Sequence, residues 1–261
     1  MIKAAQTDIA LALTQWRTWL LLAWKDIRLR YRRSQLGPFW ITLSMGITIY
    51  TMGYLYSKLF AVNLAQYFPL LAAGMLTWAL ISTLIIESTN AFIEGDQYLK
   101  QMSLPFSTFI LRILARNFII FFHNIIVIVP IIIYFHLAVN WHTLLVIPGL
   151  LIIAANAYSY GLLIAMLGAR YRDVTQIITS FIQVAFFLTP VMWSPYSLSP
   201  SHQFIVRDNP LAHFISLVRQ PLLGHTPSNL TYLITVGLAV IGFLLALVFL
   251  SKQRKRIIYW L

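Results

Sequence analysis

The chain has no cysteine among its 261 residues, which excludes disulfides and thiol chemistry and leaves the redox compartment open. It is also short of acid: seven Asp and Glu stand against nineteen Lys and Arg, for a formal net charge of +12 at pH 7. Charge of either sign is scarce, at 10% of residues, while 59% are hydrophobic and the mean hydropathy is +0.77. Soluble domains carry about a quarter charged residues, so the composition points to a polytopic membrane protein. A positive balance can signal nucleic acid. Here the basic residues sit in short connections between apolar runs, and no nucleic-acid partner is expected. No GxxxxGK[ST] stretch occurs, so the chain cannot cradle a nucleotide phosphate in the usual way. No signal peptide is expected either, because the early apolar DIALAL is short and begins at Asp8. Internal repeats and low-complexity segments are lacking.

What is abundant is apolar sequence in long runs. A membrane-spanning helix needs about 20 mostly apolar residues, and six stretches qualify: 38–59, 67–86, 110–135, 144–168, 174–193 and 230–250. With the N-terminus inside, sixteen of the nineteen Lys and Arg fall on cytoplasmic pieces, and only Lys58, Arg207 and Arg219 fall outside. Basic residues concentrate on the cytoplasmic side of membrane proteins. The expected fold is therefore all-α: one domain of six transmembrane helices with both termini cytoplasmic.

The chain is organised around Trp24–Trp40. Lys25, Arg28, Arg30, Arg32 and Arg33 crowd into nine residues, and then no Asp, Glu, Lys or Arg appears from Ser34 to Ser57. Each basic residue near an anionic leaflet contributes about 1 kcal/mol, so this junction is held at the inner surface. Over 14–35, Trp16, Trp19, Leu20, Ala23, Trp24, Ile27 and Tyr31 fall on one helical face, with Arg17, Lys25, Arg28 and Arg32 opposite. Leu21, Leu22, Leu29 and Arg30 interrupt the pattern. An imperfect amphipathic helix in the headgroup plane suits this composition. It serves either as an anchor alone, or as an anchor whose arginines also hold an anionic lipid-linked ligand.

Charges at mid-membrane would mark ion pathways, but Glu87, Arg112, Arg116 and Asp173 all lie near cytoplasmic ends. His123 and Asn124 are polar within a span, as helix-to-helix hydrogen bonding would require. Two spans carry uncharged stripes: Trp40, Ser44, Tyr50, Thr51 and Tyr54 in the first, and Gln176, Thr179, Ser180, Gln183 and Phe187 in the fifth. Hydroxyls, amides and aromatic rings suit a sugar polymer, the rings accepting the C–H faces of the sugars. They also suit helix packing and an interfacial aromatic belt. The connection 88–105 contains Glu94, Gly95, Asp96, Gln97, Tyr98, Leu99 and Lys100, and is the best candidate for docking an external energy source. The connection 194–229 contains LAHFISLVRQPLL, apolar but too short to cross. A re-entrant or interfacial hairpin is expected there, with breaks at Pro190 and Asn209-Pro210.

Taken together, RYRRSQLGPFW before the first span, FIEGDQYLKQMSLP, LTPVMWSP at the end of the fifth and DNPLAHFISLVRQPLLG resemble the membrane subunit of type-two ABC exporters over nearly the full length. The branch most similar exports O-antigen, with capsule and teichoic-acid exporters behind it. The resemblance implies a homodimer in the bacterial inner membrane, bound to two copies of a cytoplasmic ABC ATPase that holds ATP and Mg, with no cofactor in this chain. It further implies that Glu94–Lys100 is a coupling helix for that ATPase. Arg28, Arg30, Arg32 and Arg33 would lie where a polyprenyl-pyrophosphate-linked glycan and membrane lipids meet the protein. Helices one and five would flank the translocation path, and Pro190, Asn209 and Pro210 would shape its outer gate. The competing class is a membrane transferase acting on polyprenyl-linked sugars, resting on His202, Arg207, Asp208, His213 and His225. That group is loose, has one carboxylate and shows no metal spacing.

Overall fold

The computed structural model describes residues 2–30, 32, 34–102, 104–137 and 139–261, the side chain of Ile2 excepted. The described residues fold as helices joined by short connections, without strands. Two short helices, α1 (Ile2–Thr14) and α2 (Trp16–Arg30), come first, and α3 (Phe39–Leu59) and α4 (Leu64–Ser88) follow. Two short pieces, α5 (Ala91–Glu94) and α6 (Asp96–Gln101), meet at Gly95. Next come α7 (Ser107–Asn124) and α8 (Ile128–Tyr134), separated by one 3-10 turn, and then α9 (Val146–Arg170) and α10 (Val174–Leu188). The chain ends with α11 (Phe204–Arg207), α12 (Pro210–Leu222) and the long α13 (Asn229–Trp260).

Local chemistry sets the boundaries. Gly37 adopts φ +55° in the turn between α2 and α3, and its N–H donates to Ser34 Oγ at 3.1 Å. Asn63 caps α4 by accepting from Ala65 N, Asn209 caps α12 by accepting from Leu211 N, and Ser228 caps α13. An unexpected cap comes from far away in sequence. Asp8, fully buried on α1, accepts from the backbone N–H of Phe106 and Ser107 at 3.0 Å each, and so closes the start of α7. Arg254 of α13 lies 3.7 Å from the same carboxylate.

Four helical runs among the described residues are long and apolar enough to cross a membrane: Leu64–Ser88, Ser107–Tyr134, Trp141–Arg170 and Asn229–Trp260. The protein is therefore a multi-pass helical membrane protein. Helix α3 has 21 residues but carries Thr42, Ser44, Thr48, Tyr50, Thr51 and Tyr54, which dilute its apolar character. Helix α10 is strongly apolar but stops at Leu188 after 15 residues. At 1.5 Å per residue that is about 22 Å, short of a 30 Å hydrocarbon core.

The core forms where α4, α7 and α9 meet, around Leu76, Leu80, Leu84, Phe109, Ile110, Ile113 and Leu162, and α13 lies along α9. A smaller cluster of Trp78, Ile81, Ile182, Ala185, Val191 and Ile215 attaches α10 to α4 and α12. Ile182 and Ala185 are the buried residues of α10. The helix is thus held along one narrow edge, and most of its circumference is free.

Candidate functional site

Four assemblies hold the functional candidates. The first is α2. Ala23 and Ile27 are buried, with α2 packed against α7. Trp16, Leu20 and Trp24, expected on the same face, remain exposed. A surface groove of about 690 Å³ runs along α2, lined by Leu21, Trp24, Lys25, Arg28, Leu29, Arg32 and Pro38. It puts three cations beside apolar side chains, the combination that receives an anionic headgroup on an acyl stem. Arg30 points elsewhere, toward Glu87 at 3.7 Å. Arg33 and Tyr31 lie outside the described residues.

The second assembly is an ion cluster that links α2, α4, α5 and α7. Arg112 binds Asp26 through two nitrogens, at 2.7 and 2.6 Å. Arg116 donates to Asp26 and to Glu87, both at 2.9 Å, and lies 4.0 Å from Glu94. Asn117 Nδ2 donates to Glu87 at 2.5 Å. Arg112, Arg116 and Asp26 have only 12%, 8% and 15% of their side-chain surface exposed, so solvent screens them weakly. Burial raises the Glu94 carboxyl above its ordinary range, more than Arg116 and Arg112 pull it down. Sequence reading placed Glu87, Arg112 and Arg116 at cytoplasmic ends but had no means to join them, and it passed over Asp26 and Asn117. The available signal was that three carboxylates and three arginines end on the same side of different helices.

Next to this cluster is the segment from Glu94 to Lys100. Phe92 and Leu99 are buried, Tyr98 is half-buried against the core, and Gly95 sits so close to the Phe109 ring that a Cβ there would collide with it. Gln97 and Lys100 are exposed, and Lys100 pairs with Asp96 at 2.9 Å. Just upstream, Asn90 Oδ1 accepts from Thr175 Oγ1 at 3.1 Å, which ties the segment to the first turn of α10.

The third assembly is the pair of stripes. Trp40, Ser44, Tyr50, Thr51 and Tyr54 of α3 are all exposed, and the Tyr50 hydroxyl donates to Val127 O at 3.1 Å. On α10, Gln176, Ser180, Gln183 and Phe187 are exposed, Phe187 at 76%, while Thr179 is half-buried and donates to Thr175 O. The stripes therefore face outward from the single chain. A mainly apolar cleft of about 330 Å³ also opens between α3, α4 and α7, with Ser44, Thr48, Thr83 and Asn124 as polar groups on its walls and Arg30 and Glu87 among its lining.

The fourth assembly binds the end of α10. Asn209 Nδ2 donates to Thr189 Oγ1 at 3.1 Å, and the buried Arg219 donates to Pro190 O at 2.5 Å. Pro210 occupies the first turn of α12, where its missing N–H costs nothing. Arg219 was not singled out by sequence. In the same region four of the five residues considered for transferase chemistry have local partners. His202 bonds Ser199, His213 bridges Thr231 and Arg207 O, and Arg207 pairs with Asp208 in solvent. His225 is exposed. Among the described residues no group of three His, Cys, Asp or Glu could hold a metal.

A helical membrane bundle with uncharged polar faces on two helices, a basic surface helix and a connection seated on an ion cluster has the architecture of a membrane transport subunit. The chain belongs to the ABC-2 type transporter family, whose profile matches residues 17–223. An O-antigen export system permease, RfbA, from Klebsiella pneumoniae is 24% identical over 224 residues, covering 84% of this chain and 86% of its own. A second from the same organism is 23% identical over 233 residues, 88% of each chain. One from Myxococcus xanthus is 22% identical over 186 residues, 69% of this chain and 70% of its own.

Proposed function

We propose that the chain is the membrane subunit of an ATP-driven exporter that moves a polyprenyl-pyrophosphate-linked polysaccharide, of the O-antigen class, across the bacterial inner membrane. It works as a homodimer on two copies of a cytoplasmic ABC ATPase. It crosses the membrane six times, α3 and the stretch 174–193, which continues past the end of α10, completing the four longer spans, with α12 as the re-entrant limb on the outer side. The observation that carries the reading is the pair of exposed, uncharged stripes on α3 and α10. Polar faces at membrane depth are costly against lipid, so a second copy and a hydrated conduit cover them. The relatives named as O-antigen export permeases supply the class of cargo. The basic groove on α2 receives the pyrophosphate, because Lys25, Arg28 and Arg32 beside Trp24 match its charge and the lipid stem. Gln97, Lys100 and Tyr98 present the segment that the ATPase grips.

The test is reconstitution of the chain with a cytoplasmic ABC ATPase subunit, in liposomes supplied with lipid-linked glycan on the ATPase side. The glycan becomes accessible on the opposite side only with both subunits and ATP. Asp96→Ala with Tyr98→Ala leaves a folded dimer whose ATPase no longer drives export. Glycan movement by this chain alone, without nucleotide, overturns the reading. A chemical conversion of the lipid-linked sugar that His202→Ala and Asp208→Ala abolish makes the protein a transferase instead.

A further inference from the structure

The ion cluster has a geometry that packing alone does not require. Arg30, Arg112 and Arg116 balance Asp26, Glu87 and Glu94, three charges against three, drawn from α2, α4, α5 and α7. A neutral cluster of this kind is weak evidence for stability, since desolvation of the charges offsets much of their attraction. The best-attested role of such clusters is register: they fix which elements sit together.

The arms of the cluster are unequal. Arg116 holds Asp26 of α2 and Glu87 of α4 at 2.9 Å, whereas Glu94, at the end of α5, stands off at 4.0 Å with 46% of its side chain exposed. Asp26 and Glu94 both address the same nitrogen, Nη1. Arg116 also has a buried Nε with no partner, a donor held in reserve. With Gly95 already seated on Phe109, the half-exposed Glu94 side chain can still swing through the difference between an ion contact and a hydrogen bond as the 94–100 segment reseats, and so close on Arg116. That new contact draws on the guanidinium that grips α2. The start of the same segment is tied to α10, where Asn90 accepts from Thr175.

We infer that Arg116 is the positioning residue through which movement of the 94–100 segment reaches the basic helix α2, Glu94 being the arm that opens and closes. This rests on the proposed docking of that segment to an ATPase, and goes beyond it by naming the route inside this chain. Because α2 carries the groove of Lys25, Arg28 and Arg32, the route joins nucleotide-driven motion to the helix that meets the lipid-linked cargo.

The lack of cysteine makes the test direct. Leu20→Cys, on the exposed side of α2 and outside the groove, is labelled with an environment-sensitive fluorophore in the full chain, assembled with its ATPase in nanodiscs. Adding a non-hydrolysable ATP analogue shifts the emission. With Glu94→Gln, and separately with Arg116→Lys, most of the shift is lost. ATPase binding to the membrane subunit stays within twofold, about 0.4 kcal/mol. Arg116→Lys keeps the charge but not the fork that spans several carboxylates, so a purely electrostatic support of the fold predicts no loss. Glu94→Gln guards against unfolding, because it replaces a half-exposed carboxylate with its neutral isostere. An undiminished shift in both variants overturns the inference and leaves the docking reading intact. Loss of ATPase binding in Glu94→Gln also overturns it, making Glu94 a docking residue. Failure of the unsubstituted chain to bind the ATPase sinks both.

Discussion

Asp8 shows how one side chain can matter more than its position in the sequence suggests. Its carboxylate satisfies two backbone donors at the start of α7 that have no helical partner, and it does so from α1. Asp8→Ala leaves both N–H groups buried and unpaired, at about 1–3 kcal/mol each. Thermal unfolding of the purified protein in detergent should show a clearly lowered transition. Glu94 behaves in the opposite sense. Its carboxyl is raised by partial burial more than Arg116 and Arg112 lower it, so folding disfavours its charged form relative to the unfolded chain. Glu94→Gln is therefore expected to be neutral or slightly stabilising at neutral pH. The gain shrinks as the medium is acidified and the native carboxyl takes up its proton. A denaturation series at neutral and mildly acidic pH checks the sign.

At the scale of elements, the decisive fact is the narrow attachment of α10. It touches the bundle through Ile182 and Ala185, with Ile178 and Phe186 half-buried beside them, is tied at its start by Thr175 to Asn90, and is fastened at its far end by Asn209 and Arg219. The polar stripe is left free. Gln183→Leu with Phe187→Ala should therefore slow passage of the glycan several-fold while ATPase binding and the unfolding temperature hold, since neither side chain is buried. Compare α9, whose Gly168 lies so near Thr89 O that an added Cβ would overlap it. The backbone at Thr89, unlike a flexible side chain, cannot swing aside. Gly168→Ala is expected to cost about 1–3 kcal/mol and to disturb the 94–100 segment that follows Thr89, seen as lowered expression and weaker ATPase binding.

For the molecule as a whole, the charge asymmetry and the helix count bear on the same question, which is how the chain lies in the membrane. Lys252, Arg254, Lys255 and Arg256 follow the apolar part of α13, and the connection before α13 carries no Lys or Arg after Arg219. The six-span arrangement predicts that Thr226→Cys reacts with an impermeant thiol reagent only from the outer side, and Lys255→Cys only from the cytoplasmic side. Labelling of both from one side would mean that α13 does not span. The native chain contributes no background, having no cysteine.

The residue order alone determined that this is a helical membrane protein, and which uncharged stripes ride on α3 and α10. Hydropathy, charge placement and helical period are local properties, and they survive in a single strand of sequence. The bundle decided the rest. The cap on α7 from Asp8, the cluster around Arg116 and the strap from Arg219 to Pro190 all join residues separated by 29 to 99 positions. Nothing in the spacing of Asp26 and Arg116 says that they meet; that follows from α2 lying across α7. Gly168 likewise reads as an ordinary small residue until the backbone at Thr89 is placed against it. Long-range electrostatic partners and close backbone approaches are products of packing, and only the packed chain could reveal them.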